Sequence, residues 1–185
     1  QKEYPKISKV FIRDIFSNSF EGNHPGDLHD LRSFVAHPHY RSLYDTCNIV
    51  YKDFNPEFEL ITSGFKRLSV LLPQWQAPDV FTFISGFNYG ITLHPDAQVL
   101  GIGLDMFLGE NFPAYTSMML NLPQYVRHTQ TKDYIPSKAV YSAIDEIVGP
   151  PKSDMLLDQM LCNGKKLYLL KKCLPEVPDS IQNEY

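Results

Sequence analysis

Asp105 is the residue whose chemistry most needs explaining. It sits in the stretch GIGLDMFLG, at the end of an otherwise apolar run. A carboxylate there needs hydrogen bonds, a cation or water to offset its desolvation. The structural reading has it accepting from nearby backbone or pairing with Arg127 or a lysine, and this stands ahead of a ligand-binding or catalytic role. Arg127, Lys165 and Tyr168 join Asp105 as candidate binding residues, the last two from a helical stretch near the C-terminus. No catalytic residue is assigned.

Other chemistry is less well supported. His37-Pro38-His39 is the tightest histidine pair, but no HExxH, HxxxH or Cys/His pairing follows it, so it reads as a surface loop and no metal or other cofactor is expected. Ser85 lies at a strand end without the GxSxG turn that exposes a hydrolase nucleophile. Cys162 falls on a mostly apolar helix, where a thiol is usually packed. Gly101-Ile102-Gly103 lies within a strand and not in a phosphate-binding strand-to-helix turn. The pairs Lys165-Lys166 and Lys171-Lys172 read as a solvated face.

The elements that must position these residues form an α+β protein, a small sheet covered by many helices. Two near-continuous apolar runs, Val80–Phe87 and Gln98–Phe107, predict buried strands. Joined by Asn88–Ala97, they read as an antiparallel pair with an extended loop. Gly101 and Gly103 leave one face of the second strand bare, so backbone or ligand must pack closely there. A further strand is expected over Ile7–Phe16, followed by a loop over Asn18–Gly26.

Helical spacing predicts a helix from an Asp27 N-cap through Leu28, Leu31, Phe34 and Val35, and a second carrying Tyr40, Leu43, Tyr44, Cys47 and Val50. A third starts at Asn55-Pro56, with Asn55 as N-cap, and ends before Pro73. Phe112–Leu120, Pro123–Gln130 and Pro136–Val148 follow, each beginning near a proline. The last helix, Ser153–Leu174, has Leu157, Met160, Leu161, Gly164, Leu167, Tyr168 and Leu170 as its apolar side. Gly164 is expected to pack against the Gly101/Gly103 strand.

Length and composition set the class. A chain of 185 residues, 43% hydrophobic, suits one domain over residues 1–185. A net charge of −4 argues against phosphate-neutralising nucleic-acid binding. The three cysteines, Cys47, Cys162 and Cys173, are too far apart for a CxxC pair. No apolar run is long enough to span a bilayer.

The phrases VFTFISGFNYG, LGIGLDMFLGENFPAY, LPQYVRH and LLDQMLCNGKKLYLLKKCLP resemble the gliding-motility-associated lipoprotein B (GldB) family of Bacteroidota, in order from Val10 to about Ser180. The resemblance implies a lipid-anchored protein on the periplasmic side of the outer membrane, tied to gliding motility and through it to type IX secretion. Its partners would be other envelope proteins. An acylated N-terminal cysteine and a helical segment beyond Tyr185 are also implied, and neither is in this chain; an incomplete domain would leave an apolar face uncovered.

A second similarity is to zincin-type peptidases, in the order strand, strand, helix, then a helix reading MxxxGKxxY. The Pro136–Val148 stretch has no histidine and Asn163 stands where an acidic ligand would precede Gly164, so the resemblance implies a zincin-like shell without its metal. The expected function is therefore a non-catalytic envelope domain that binds protein partners. The alternatives are a peptidase-like hydrolase with a pocket around Asp105, Lys165 and Tyr168, or a periplasmic module that takes a peptide or small ligand by strand addition.

Overall fold

The apolar run after Pro78 becomes three short strands, β1 (Asp79–Phe83), β2 (Ile91–His94) and β3 (Val99–Gly103), in the order β1-β3-β2. The computed structural model describes residues 5–12, 28–117 and 120–183. The architecture is α+β. The chain divides into two compact units, Gln1–Asp53 with Pro78–Lys132, and Phe54–Ala77 with Asp133–Tyr185.

In the first unit every residue of β3 is buried, because it is the central strand. It pairs in parallel with β1, Asp79 opposite Val99 and Phe83 opposite Gly103, and antiparallel with β2, Ile91 opposite Ile102 and His94 opposite Val99. The expected antiparallel pairing of the two long apolar runs is thus wrong. Their supposed loop contains β2, which runs back through a 3-10 turn at Pro95–Ala97 and a left-handed Gln98 into β3. With only four residues between Gly90 and Pro95, β2 gives too short a pattern to read as a strand.

The bare glycine face of β3 is filled from within the unit. A Cβ on Gly101 would lie 2.8 Å from the Phe83 ring and 2.9 Å from the Phe81 ring, both on the neighbouring β1. A Cβ on Gly103 would collide with the carbonyl oxygen of Tyr89, while the Gly103 N–H donates to Gly90 O at 2.7 Å.

The expected N-terminal strand is a helix, α1 (Pro5–Val10), with a wider π-type turn at Phe11 and Ile12. Its β-branched and aromatic residues outweighed its proline start in the sequence, whereas the fold uses Val10, 2% exposed, as one inward anchor. Asp27, the loop over Asn18–Gly26 and the end of the expected strand lie outside the described residues. Then come α2 (Leu28–Ala36) and α3 (Pro38–Val50), with Leu43 and Cys47 buried. Between them His37 is the N-cap, its Nδ1 accepting from the His39 N–H at 3.2 Å, and Pro38 opens α3 without losing a hydrogen bond. Two short helices, α5 (Pro113–Thr116) and α6 (Gln124–His128), complete this unit.

The second unit is helical, built from α4 (Asn55–Leu71), α7 (Ile135–Val148), α8 (Leu156–Cys173) and α9 (Asp179–Gln182). Phe54, not Asn55, is the N-cap of α4. Ile61, Phe65 and Leu68 make the inner stripe of α4, and Gly64 lets it come close to its neighbours. A Cβ on Gly64 would sit 2.7 Å from Val140 of α7 and 3.1 Å from Leu174. Arg67 donates to Cys173 O at 2.8 Å and pairs with Glu176, while the Gln182 amide donates to Leu174 O and Val177 O at 2.8 and 2.6 Å. The Arg67 bond satisfies the Cys173 carbonyl at the end of α8, and the Gln182 bonds tie α9 to the turn that follows it.

The inner face of α8 is the expected one only at Leu170. Cys162, Lys166, Leu170 and Cys173 point inward. Leu157, Met160, Leu161 and Tyr168 are 53 to 63% exposed. Gly164 has nothing within 4 Å of an added Cβ, so the close packing expected at this glycine is not found. The helix has two apolar stripes on opposite sides, and the more strongly hydrophobic one faces out.

Candidate functional site

Asp105 lies in the 3-10 turn Leu104–Met106 that ends β3, with no solvent exposure. Its partners come from the segment that follows β1. There Gly86 and Phe87 are both left-handed, with φ of 70° and 67°, which aims two N–H groups at one point. The Ser85 N–H donates to Oδ1 at 3.0 Å and the Phe87 N–H to Oδ2 at 2.6 Å, while the Ser85 hydroxyl lies 3.1 and 3.2 Å from the two oxygens. The result is a small anion-binding nest whose anion is a side chain of the same fold.

Burial pushes the Asp105 pKa above the ordinary carboxylate value, and the hydrogen bonds from Ser85 and Phe87 pull against that rise. The charge also helps raise Tyr40 and Cys47, where burial is the larger cause. A left-handed phenylalanine costs on the order of 1–3 kcal/mol and persists only when its surroundings hold it. Here the bond to Asp105 and the rings of Phe112 and Tyr115, centred 6.1 and 5.9 Å away, do so. Gly86 is needed for a second reason, since a Cβ there would lie 2.7 Å from the Tyr40 ring.

Ser85 has no nucleophile geometry. It is 1% exposed, and its hydroxyl accepts from the N–H groups of Asn88 and Tyr89, each at 3.1 Å. On the other side of Asp105, the Tyr115 hydroxyl donates to the Asp105 carbonyl at 2.8 Å and accepts from the Leu108 N–H at 3.0 Å. The cluster joins the exits of β1 and β3. It presents no acid, base or nucleophile to solvent.

Of the candidate binding residues, Asp105 and Arg127 fall in the first unit, Lys165 and Tyr168 in the second. Asp105 takes backbone and serine donors, and no ion pair with Arg127 forms. Arg127 is on α6, and its buried Nε has no hydrogen-bond partner among the described residues. Lys165 is exposed. Its neighbour Lys166 is not the solvated charge expected, for it is 7% exposed and reaches Asp145 at 2.5 Å. Cys162 is packed, its thiol 3.4 Å from Gly149 O. Among the described residues no three histidine, cysteine or carboxylate side chains group as a metal site would require.

Tyr168 belongs to the outward stripe of α8, with Leu157, Met160, Leu161 and Gly164, and the Lys172 ammonium stands 5.5 Å from its ring centre. At this end of the helix a groove of about 330 Å3 is lined by Lys66, Arg67, Val70, Leu71 and Lys172. Val70 is 80% exposed and Leu71 47%. The sequence reading does not single out this groove: it places Lys172 on a solvated face and gives Lys66, Arg67, Val70 and Leu71 no role. The available signal was the place of Lys66, Arg67 and Val70 beside the buried line through Phe65 and Leu68. Chemically this surface offers apolar area and positive charge, which suits docking.

A family model described as gliding motility protein GldB matches residues 1–185. No curated protein and no solved structure matches the chain.

Proposed function

The chain belongs to the gliding motility protein GldB family, and from that premise we propose that it is a non-catalytic, lipid-anchored envelope domain that acts by binding protein partners. The observation that carries this is the outward stripe of α8. Leu157, Met160, Leu161 and Tyr168 expose more than half of their surface on one face. A row of large apolar side chains in water is the usual mark of a surface that another protein covers. Asp105 supports the reading from the other side, since its carboxylate is consumed by the fold.

The setting that fits is the periplasmic face of the outer membrane, with the gliding and type IX secretion machinery as the source of partners. Among the described residues no helix is long and apolar enough to cross a membrane. In the natural envelope, Leu161→Asp with Tyr168→Asp should abolish gliding and the co-purification of partners while leaving the level of folded protein unchanged. Gliding that survives this pair, or is lost only with removal of an enzymatic activity, would overturn the proposal.

A further inference from the structure

The outward face of α8 is complementary to itself. At its N-terminal end Met155, Leu156 and Leu157 project 63 to 75% exposed, flanked by Asp154 and Asp158. At its C-terminal end lies the groove with Val70 and Leu71 as apolar lining and Lys66, Arg67 and Lys172 as cations. Gly164 stands midway between Leu156 and Lys172 in sequence, on the outward side, with nothing within 4 Å of an added Cβ. A projection edged with carboxylates, a cation-rimmed recess and a central notch spaced equally from both are what a two-fold contact requires, because each half must meet the other half of its copy.

We propose that a second copy of this chain is a partner of this face, with two α8 helices crossing antiparallel at Gly164 so that Met155–Leu157 of each seats in the Lys66–Lys172 groove of the other. The proposal rests on the protein-binding reading and names one partner for it. Antiparallel crossing sets Met160 against Tyr168, a thioether on an aromatic ring, and brings Asp154 and Asp158 to Lys66 and Lys172. Arg67 contributes less, since it is already paired with Glu176. Lys66 has no ion pair among the described residues, and Lys172 has only the Tyr168 ring. Helix ends of opposite charge also favour antiparallel over parallel pairing.

Sedimentation velocity on the chain, over a wide concentration range, tests this directly. A reversible dimer is expected. Gly164→Gln should give a monomer whose melting temperature, compared at concentrations where the wild type is also monomeric, is unchanged or higher, because the new side chain meets open space within the chain but fills the crossing point. Lys66→Glu with Lys172→Glu, and separately Asp154→Lys with Asp158→Lys, should each raise the dissociation constant roughly tenfold or more. An equimolar mixture of the two reversed proteins should form a heterodimer near wild-type affinity. A monomer at every concentration, a dimer indifferent to Gly164→Gln, or reversed variants that do not combine would each overturn the proposal. The wider protein-binding reading fails separately, if envelope crosslinks from α8 to other proteins are absent as well.

Discussion

Replacing Asp105 by asparagine tests whether this carboxylate is a structural group. The side chain keeps its shape, but only one of its two terminal atoms can still accept. If the amide oxygen retains the Phe87 N–H, bound at 2.6 Å, the new NH2 faces the Ser85 N–H, which lost an acceptor at 3.0 Å. One buried N–H left without a partner costs about 1–3 kcal/mol, and removal of a desolvated charge offsets part of that. A net loss of about 2 kcal/mol is expected, roughly 4–8 °C in Tm for a chain of this size. Urea and thermal unfolding followed by circular dichroism measure it. Ser85→Ala should couple to the change by roughly 1 kcal/mol in a double-mutant cycle, since both groups share one network. The pH dependence has a definite sign. The folded pKa of Asp105 lies above its ordinary 3.8, so the native state binds its proton more tightly than the unfolded chain. Stability from this group is therefore greatest below 3.8, falls as pH rises through the folded pKa and is level above it. The gap between wild type and Asp105→Asn should widen on acidification through that window. An unchanged Tm would refute the structural assignment, and a gap that narrows in acid would mean that the Ser85 and Phe87 hydrogen bonds outweigh burial at this carboxylate.

The two helix glycines should respond oppositely. Gly64→Ala gains helix propensity but drives a methyl to 2.7 Å from Val140, and a loss of about 1–3 kcal/mol in denaturant unfolding is expected. Gly164→Ala meets open space and should stabilise by about 0.5–1 kcal/mol in the same assay. Asp145→Ala strands the buried Lys166 ammonium and should cost about 1–2 kcal/mol, with Lys166→Met in that background recovering most of it, measured by urea midpoint. Burial pushes the Cys47 thiol up to about 12 and Cys173 to about 11, so a thiol reagent at pH 8 should modify both only on unfolding, as mass spectrometry of labelled peptides would report.

The fold class and most helices were legible because proline starts and apolar spacing agree over long stretches, as from Asn55 to Leu71. Sheet pairing was not, because β1 and β3 meet in parallel across a segment that hides a four-residue strand. Asp105 was legible as a polar question, and its answer depends on two left-handed residues, Gly86 and Phe87, of which phenylalanine gives no such signal. On α8 the expected apolar side merges two faces, the buried Leu170 with the exposed Leu157, Met160, Leu161 and Tyr168. Two stripes share the helix, and the inner one hides behind Lys166, whose charge is neutralised by Asp145 on another helix. No local pattern distinguishes a stripe that faces a core from one that faces a partner.

On the function proposed above, this protein works through the outer face of α8 and not through a reaction. A photo-crosslinking residue at Tyr168, with exposed Glu59 of α4 as control, tests that in the native envelope of the lipidated protein. Discrete protein adducts from Tyr168 and none from Glu59 are predicted, and loss of the Tyr168 adducts on adding Leu161→Asp. Equal labelling from both positions, or none from Tyr168, would contradict it.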